Sequence, residues 1–503
     1  MTKICTRVGL VISLLATPAS LPAADRTWLE VKTANFTVIS DAGEKSARMV
    51  LWEFEQIRAA VRALWPWARV DVDRPIRVVA PRDEAGMRAL APQYWEEKGA
   101  VRPASLFVTG PDRYYVALRT DVKASDTAGT NPYRAAYWSY VALVLRSSVS
   151  RDLPLWYYVG LTEMMSNTIV RDTHLDIGRP IPWHVQRLRD RTRLPARELL
   201  TLDRTSPWYQ QGDKREDFDA AAWGMVHYLM FADQGAHRSA LDRFTALTLE
   251  GKTSAAATEI AFGNPQALEN GFSQYINRQV LTFMHFDVDV SVKPERFSPR
   301  ALSVAEAAVA QAAFHTAMRR PAEARALMEQ ARKADPRLAA CYEVDGLLLE
   351  SERKAEDARA AYAKAIELGS TSFYPYYRWA ALTPPGETGD STIAGRMDDA
   401  LKQATTLNER FAPAYGLLGE VRLRLGRREE ALTLAQRGVS LAPGQVQNRL
   451  ALARVLWGMS RRDEALHEAK EGLALATSEG ERRAAQQLIE FFEKHTSPPL
   501  SDD

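Results

Sequence analysis

The stretch "PAEARALMEQARKADP" at 321–336 is written in alanine, arginine, glutamate and leucine, and it returns further along the chain. "AEDARAAYAKAIELGS" (355–370), "REEALTLAQRGVSLAP" (428–443) and "RDEALHEAKEGLALAT" (462–477) overlay it without gaps. Ala324 and Ala358 stand 34 positions apart, as do Ala431 and Ala465. A fixed period of this length marks one supersecondary unit that buries its apolar face by stacking on its neighbours. Gly346 and Gly419 permit close helix contact, Tyr362 takes a large slot, and Pro336 and Pro443 close their units.

The period and these positions resemble the tetratricopeptide repeat. About five units are expected between 303 and 480. The third centres on Ala400 and Ala404, its loop swollen by "TPPGETGDSTIAGRM" (383–397), and "ERRAAQQLIEFFEKH" (481–495) follows as a capping helix. Three units suffice for a continuous core, so the array is expected to stand alone. The resemblance implies a concave groove walled by the first helix of each unit. Phase places Glu343, Glu350, Glu420, Arg424, Arg454 and Trp457 on or near it, with helix packing as the alternative for Trp457. Mixed charge around one large aromatic suits a protein or peptide partner better than a small metabolite.

Working outward, 503 residues imply two or three units, and a globular composition excludes a fibrous or disordered chain. A formal charge of +2 supplies no field for nucleic acid. The densest basic run, Arg187, Arg189, Arg191 and Arg193, lacks interleaved aromatics and reads as a solvated loop. Residues 1–24 have the look of a signal peptide: Lys3 and Arg7, the short apolar core "VGLVISLLA" (8–16), then small residues, with cleavage expected between Ala19 and Ala24. That core is too short to span a bilayer, so the expected product is exported, periplasmic or secreted, with no transmembrane segment. Beyond the signal, Cys341 is the single thiol, which leaves no internal disulfide and reads as a buried small hydrophobe.

From 25 to 288 the grammar is α+β. "WLEVKTANFTVIS" (28–40) alternates like a strand pair ending at Ser40. Asp41 and Glu44 have a helix-start look ahead of "EKSARMVLWEFEQIRAAVRALW". "PIRVVA" (75–80) is a buried strand, and "ASLFV" with "RYYVAL" is a hairpin. Helices follow, and 289–302 reads as a linker to the solenoid at 303–495.

This half resembles the peptidase-MA-like domain of the gluzincin metallopeptidases. The segments are "NFTVISDAGEKSARMVLWEFEQIRAAV", "DLPLWYYVGLTEMMSN", "FDAAAWGMVHYLMF" and "ATEIAFGNPQALENGFSQYI", in the family's order. Active members place two histidines four apart on one helix face, a glutamate base after the first, and a glutamate ligand on the next helix. Here those places hold Trp138, Ser139, Ala142 and Val159, while Gly160 remains and Glu163 keeps a supporting position. The resemblance therefore implies an apolar plug in place of a zinc site, a pseudopeptidase, and no cofactor. Full burial of Trp138 and Val159 would contribute on the order of 2–3 kcal/mol each.

No pair of the eight histidines lies three to five apart, and His227 in "AWGMVHYL" reads as a satisfied core histidine. No G-x-S-x-G elbow, phosphate loop or dinucleotide fingerprint occurs. Three functions stay open at this point. The favoured one is a non-catalytic protein- or peptide-binding scaffold of the cell envelope. The others are a zinc peptidase with relocated ligands, such as His174, His184 and Glu163, and a structural subunit of an envelope assembly.

Overall fold

The computed structural model describes residues 27–495, except 97, 98, 100, 124–128, 191, 192 and 388. The signal-peptide reading of 1–24 lies outside the described residues. The N-terminal strands are β1 (Leu29–Lys32), β2 (Phe36–Ser40), β3 (Ile76–Ala80), β4 (Ser105–Thr109) and β5 (Tyr114–Leu118). The principal helices of this half are α1 (Glu44–Leu64), α2 (Arg134–Ser148), α3 (Leu155–Ser166), α4 (Pro182–Asp190) and α5 (Gly212–Phe231). Three further strands, β6 (Ile169–Val170), β7 (His174–Ile177) and β8 (Met284–Asp287), pair antiparallel in a small second sheet.

The main sheet runs β4-β5-β3-β2-β1-β9, where β9 (Arg300–Ala301) pairs antiparallel with β1. Its β2, β3 and β5 are parallel neighbours and read as nearly unbroken apolar runs, because side chains alternate between two covered faces. Val38, Val78 and Val116 point into the core made with α1 and α2, alongside Phe54 and Tyr140. Ile39, Val79 and Ala117 point the other way.

What covers that second face is the first helix of the repeat half, α6 (Val304–Ala317), through Ala305, Ala308, Val309 and Ala312. Tyr115 of β5 meets Phe314 edge-on, with ring centroids 6.2 Å apart. Alanine spacing lets α6 approach the sheet on one side and its own repeat partner on the other. The array therefore does not stand apart as expected, because its first helix is also a layer of the N-terminal core.

The stretch 289–302 is not a free linker either. Gln56 of α1 donates to the Asp289 carbonyl and accepts from the Asp289 amide, and the Trp52 indole donates to the Val292 carbonyl. The chain then forms β9, and a Ser303/Glu306 capping box starts α6. Asp41, expected to cap α1, instead accepts from the Arg82 amide, and Gly43 takes the cap position.

The solenoid pairs α6 with α7 (Pro321–Ala334), α8 (Ala339–Ser351) with α9 (Ala355–Glu367), and α10 (Phe373–Ala381) with α11 (Ser391–Leu407). Next come α12 (Ala412–Arg424) with α13 (Arg428–Leu441), then α14 (Val446–Gly458) with α15 (Arg462–Leu475), and a last helix, α16 (Glu479–Lys494). Ala324, Ala358, Ala431 and Ala465 are fully buried. At Gly346 a β-carbon would come within 2.3 Å of the Tyr362 ring, so the small and large slots of that unit require each other.

Candidate functional site

The place where the resemblance would put a metal lies between α2 and α3. All of α3 is buried, and it crosses α5 so closely at Gly160 that a β-carbon there would sit 2.4 Å from the Ala222 carbonyl. The retained glycine thus has a packing reason. Ala142 and Val159 are buried in the main apolar cluster. Trp138 is only partly buried: it packs on that cluster's margin and meets Tyr158 edge-on at 6.4 Å. Its contribution is correspondingly below that of full burial, which corrects the idea of a sealed plug. Indole, methyl and isopropyl groups offer a cation no lone pair, so the residues present do not fit a zinc ion at this point.

Glu163 is buried and spoken for. Arg134, one turn before Trp138 on α2, donates to it at 2.5 Å, and His184 Nε2 of α4 lies 3.2 Å from the same oxygen. Burial would raise the Glu163 pKa, but the His184 hydrogen bond and the Arg134 guanidinium outweigh it and hold the carboxyl below its usual range. Arg134 also lies over the Trp183 ring at 4.6 Å. His174 does not join His184 and Glu163. It stands on β7 beside Asp176 and His285, so the relocated ligand set is not assembled. His227 is fully buried, with Nδ1 2.7 Å from the Tyr275 hydroxyl and Nε2 2.7 Å from the Gly178 carbonyl.

The groove candidates divide. Glu350 of α8 accepts from Tyr362 and from two nitrogens of Arg378 on α10. Glu420 of α12 accepts from Arg454 of α14 at 2.8 Å. These pairs tie the first helices of successive units together. Glu343 accepts from Ser370 and lies 4.0 Å from Arg113, at the turn of the β4–β5 hairpin, so the N-terminal half meets the solenoid there. Arg424 is exposed. Trp457 is not a groove residue: it is buried, stacked on Phe492 of α16 at 4.7 Å and 17°. It joins the last full unit to the terminal helix. The basic run is likewise corrected: Arg187 and Arg189 lie on α4, where Arg187 pairs with Glu216 and Asp217 and Arg189 donates to the carbonyls of Ile276 and Arg278.

A cleft of about 1280 Å³ opens between the two halves. One wall is the end of α1, the end of α2 and residues 149–152; the other is the turns that follow α13 and α15. Arg69 donates to the carbonyls of Ser440 and Leu441, and Asn408 donates to the carbonyl of Asp73, fixing the margins. Six arginines line it, Arg62, Arg69, Arg146, Arg151, Arg410 and Arg437, against Asp71, Asp73 and Asp152. Each acid has its own cation. Arg58, Arg62 and Arg410 hold Asp71, Arg74 holds Asp73 and Arg204 holds Asp152. Burial would raise the Asp71 pKa, but these guanidiniums outweigh it and lower it. Sequence reasoning did not find this cleft, because its walls come from segments far apart along the chain.

No protein-family model matches the chain. Over 96 residues it is 40% identical to small glutamine-rich tetratricopeptide repeat-containing protein 2 of Mycosarcoma maydis, covering 18% of this chain and 25% of that protein. The chain thus spans about a quarter of that relative's length. Similar solved structures include MamA (23% identical, 34% of this chain and 91% of that one, TM-score 0.28). YrrB, a TPR protein with an unusual peptide-binding site, is 17% identical over 36% of this chain and 90% of its own, TM-score 0.30. PilF of Pseudomonas aeruginosa is 16% identical over 38% and 85%, TM-score 0.30. Over its matched stretch the chain is similar to a tetratricopeptide-repeat protein, and its own fold is a mainly helical solenoid carrying an N-terminal sheet region.

Proposed function

We propose that the protein is a non-catalytic scaffold of the cell envelope that holds an acidic, extended polypeptide segment in the cleft between its halves. The observation that carries this reading is the cleft itself. At about 1280 Å³ it exceeds the usual small-molecule pocket, and its arginines outnumber acids that are already neutralised. Backbone carbonyls at its margin, such as those of Ser440 and Leu441, are taken by Arg69, so the surplus cations rather than free peptide groups face a ligand. The N-terminal half is a pseudopeptidase on this reading: Trp138, Ala142 and Val159 stand where ligands would be, and Glu163 is committed to Arg134 and His184. The envelope location rests on the export-like segment at 1–24.

The test is an anisotropy titration of the full chain with a labelled glutamate-rich peptide and with its lysine-rich counterpart. Saturable binding of the acidic peptide, weakened by salt, is expected. Reversing two exposed cleft cations, Arg151→Glu and Arg437→Glu, should weaken it by about tenfold while leaving the fold intact. Equal binding of both peptides, or indifference to the reversals, would overturn the reading.

A further inference from the structure

We infer that His174, Asp176 and His285 form a binding site for one divalent transition metal of the zinc class, on the small sheet and apart from the α2–α3 junction. The register builds it. His174 and Asp176 are two apart on β7 and so share a face, and His285 of β8 is paired directly opposite Asp176. Asp287 stands opposite His174 on that same face.

The distances suit a cation. His285 Nδ1 lies 2.8 Å and His174 Nε2 3.2 Å from Asp176 Oδ1, and all three ligand atoms fall within 4.8 Å of one another. Ligands about 2.0 Å from a tetrahedral zinc are separated from each other by about 3.3 Å. Among the described residues this is the one grouping of three such side chains that close together. Imidazole and carboxylate are the donors that borderline cations favour.

The second observation is Asp176 itself. Its side chain is 2% exposed, and Oδ1 makes no hydrogen bond although two imidazole nitrogens lie within 3.2 Å of it. A buried carboxylate oxygen left this way is costly, and a shared cation would satisfy it. The remaining parts are those of an outer shell. Arg171 and Arg179 donate to Oδ2 at 3.1 Å each and orient the carboxylate. Thr173 Oγ1, 3.0 Å from His174 Nδ1, fixes that ring so that Nε2 faces the site. The two histidine rings meet edge-on at 4.8 Å. Loaded, the site would fasten β8 to β7 just before the chain straps itself along α1.

The test uses the untagged full chain, stripped with chelator and titrated calorimetrically with zinc, then with cobalt(II) as a spectroscopic probe. One equivalent of zinc, visible cobalt bands of a tetrahedral site and a Tm raised by zinc are expected. His174→Ala and His285→Ala should each weaken binding by more than about 100-fold. His285 is exposed, so its variant should keep the fold, with circular dichroism as the check. His285→Cys, which restores a ligand, should recover binding and intensify the cobalt bands. His467→Ala, remote from the sheet, should change nothing. Absence of saturable binding, or binding that survives both alanine variants, would overturn the inference.

Discussion

The junction between α2 and α3 and the cleft between the two halves are both places where a peptide could meet this protein, and their chemistry is opposite. At the junction Ala142 and Val159 fill the space with hydrocarbon, and the one carboxylate, Glu163, is held by Arg134 and His184. The cleft is instead lined by charged groups, among which the arginines exceed the acids. The two places thus divide by physical character: apolar packing dominates the junction, while charge gathers where the solenoid closes against the sheet domain.

The comparison breaks most visibly if the junction is not a true core. Val159→Asp places a charge among buried apolar groups, and denaturant unfolding should show a loss of about 4 kcal/mol or more. A near-neutral result would mean that water already enters there. Glu163→Ala leaves Arg134 and His184 facing each other without their shared anion. A loss of about 3 kcal/mol is expected by the same measurement, with Glu163→Gln intermediate.

Acid should weaken the same half. Burial pushes the His227 pKa down to about 4 in the fold, against about 6.5 when unfolded. Between those values the unfolded chain binds the extra proton, so stability is complete above the upper value and falls as pH drops through the window. Thermal melts should lose about 2–3 kcal/mol from pH 7 to pH 4 on this account, and His227→Gln should flatten that part of the profile.

Cys341 sharpens the contrast between separate and merged halves. It is fully buried in the cluster that joins α6 and α8 to Ile39, Val79 and Tyr115, and burial raises its pKa to about 11. Thiol labelling of the native chain should be negligible, and it should accelerate in step with loss of the sheet's signal rather than before it. At the small end, Arg151→Glu with Arg437→Glu should move stability by less than about 0.5 kcal/mol while affecting peptide binding.

The repeats were legible because their information is local: the alanine period, the paired glycine and tyrosine, and the capping residues sit within each unit. At the junction the burial of Ala142 and Val159 followed from their apolar helical runs, whereas Trp138 was expected inside and lies at the margin. The rest depended on partners far away in sequence. β9 is two residues long and exists only because β1 offers a free edge. His174 and His285 meet only through the pairing of β7 with β8, which no spacing rule reveals. Trp457 carried a plausible groove phase, but Phe491 and Phe492 of the terminal helix claimed its ring.

Binding without cleavage is the claim on which the account turns. The direct measurement follows one acidic peptide held at saturating full-length protein, with zinc supplied, by anisotropy and mass spectrometry over days. The account requires the peptide to stay bound and intact. Fragments that accumulate with protein concentration and vanish with chelator would contradict it.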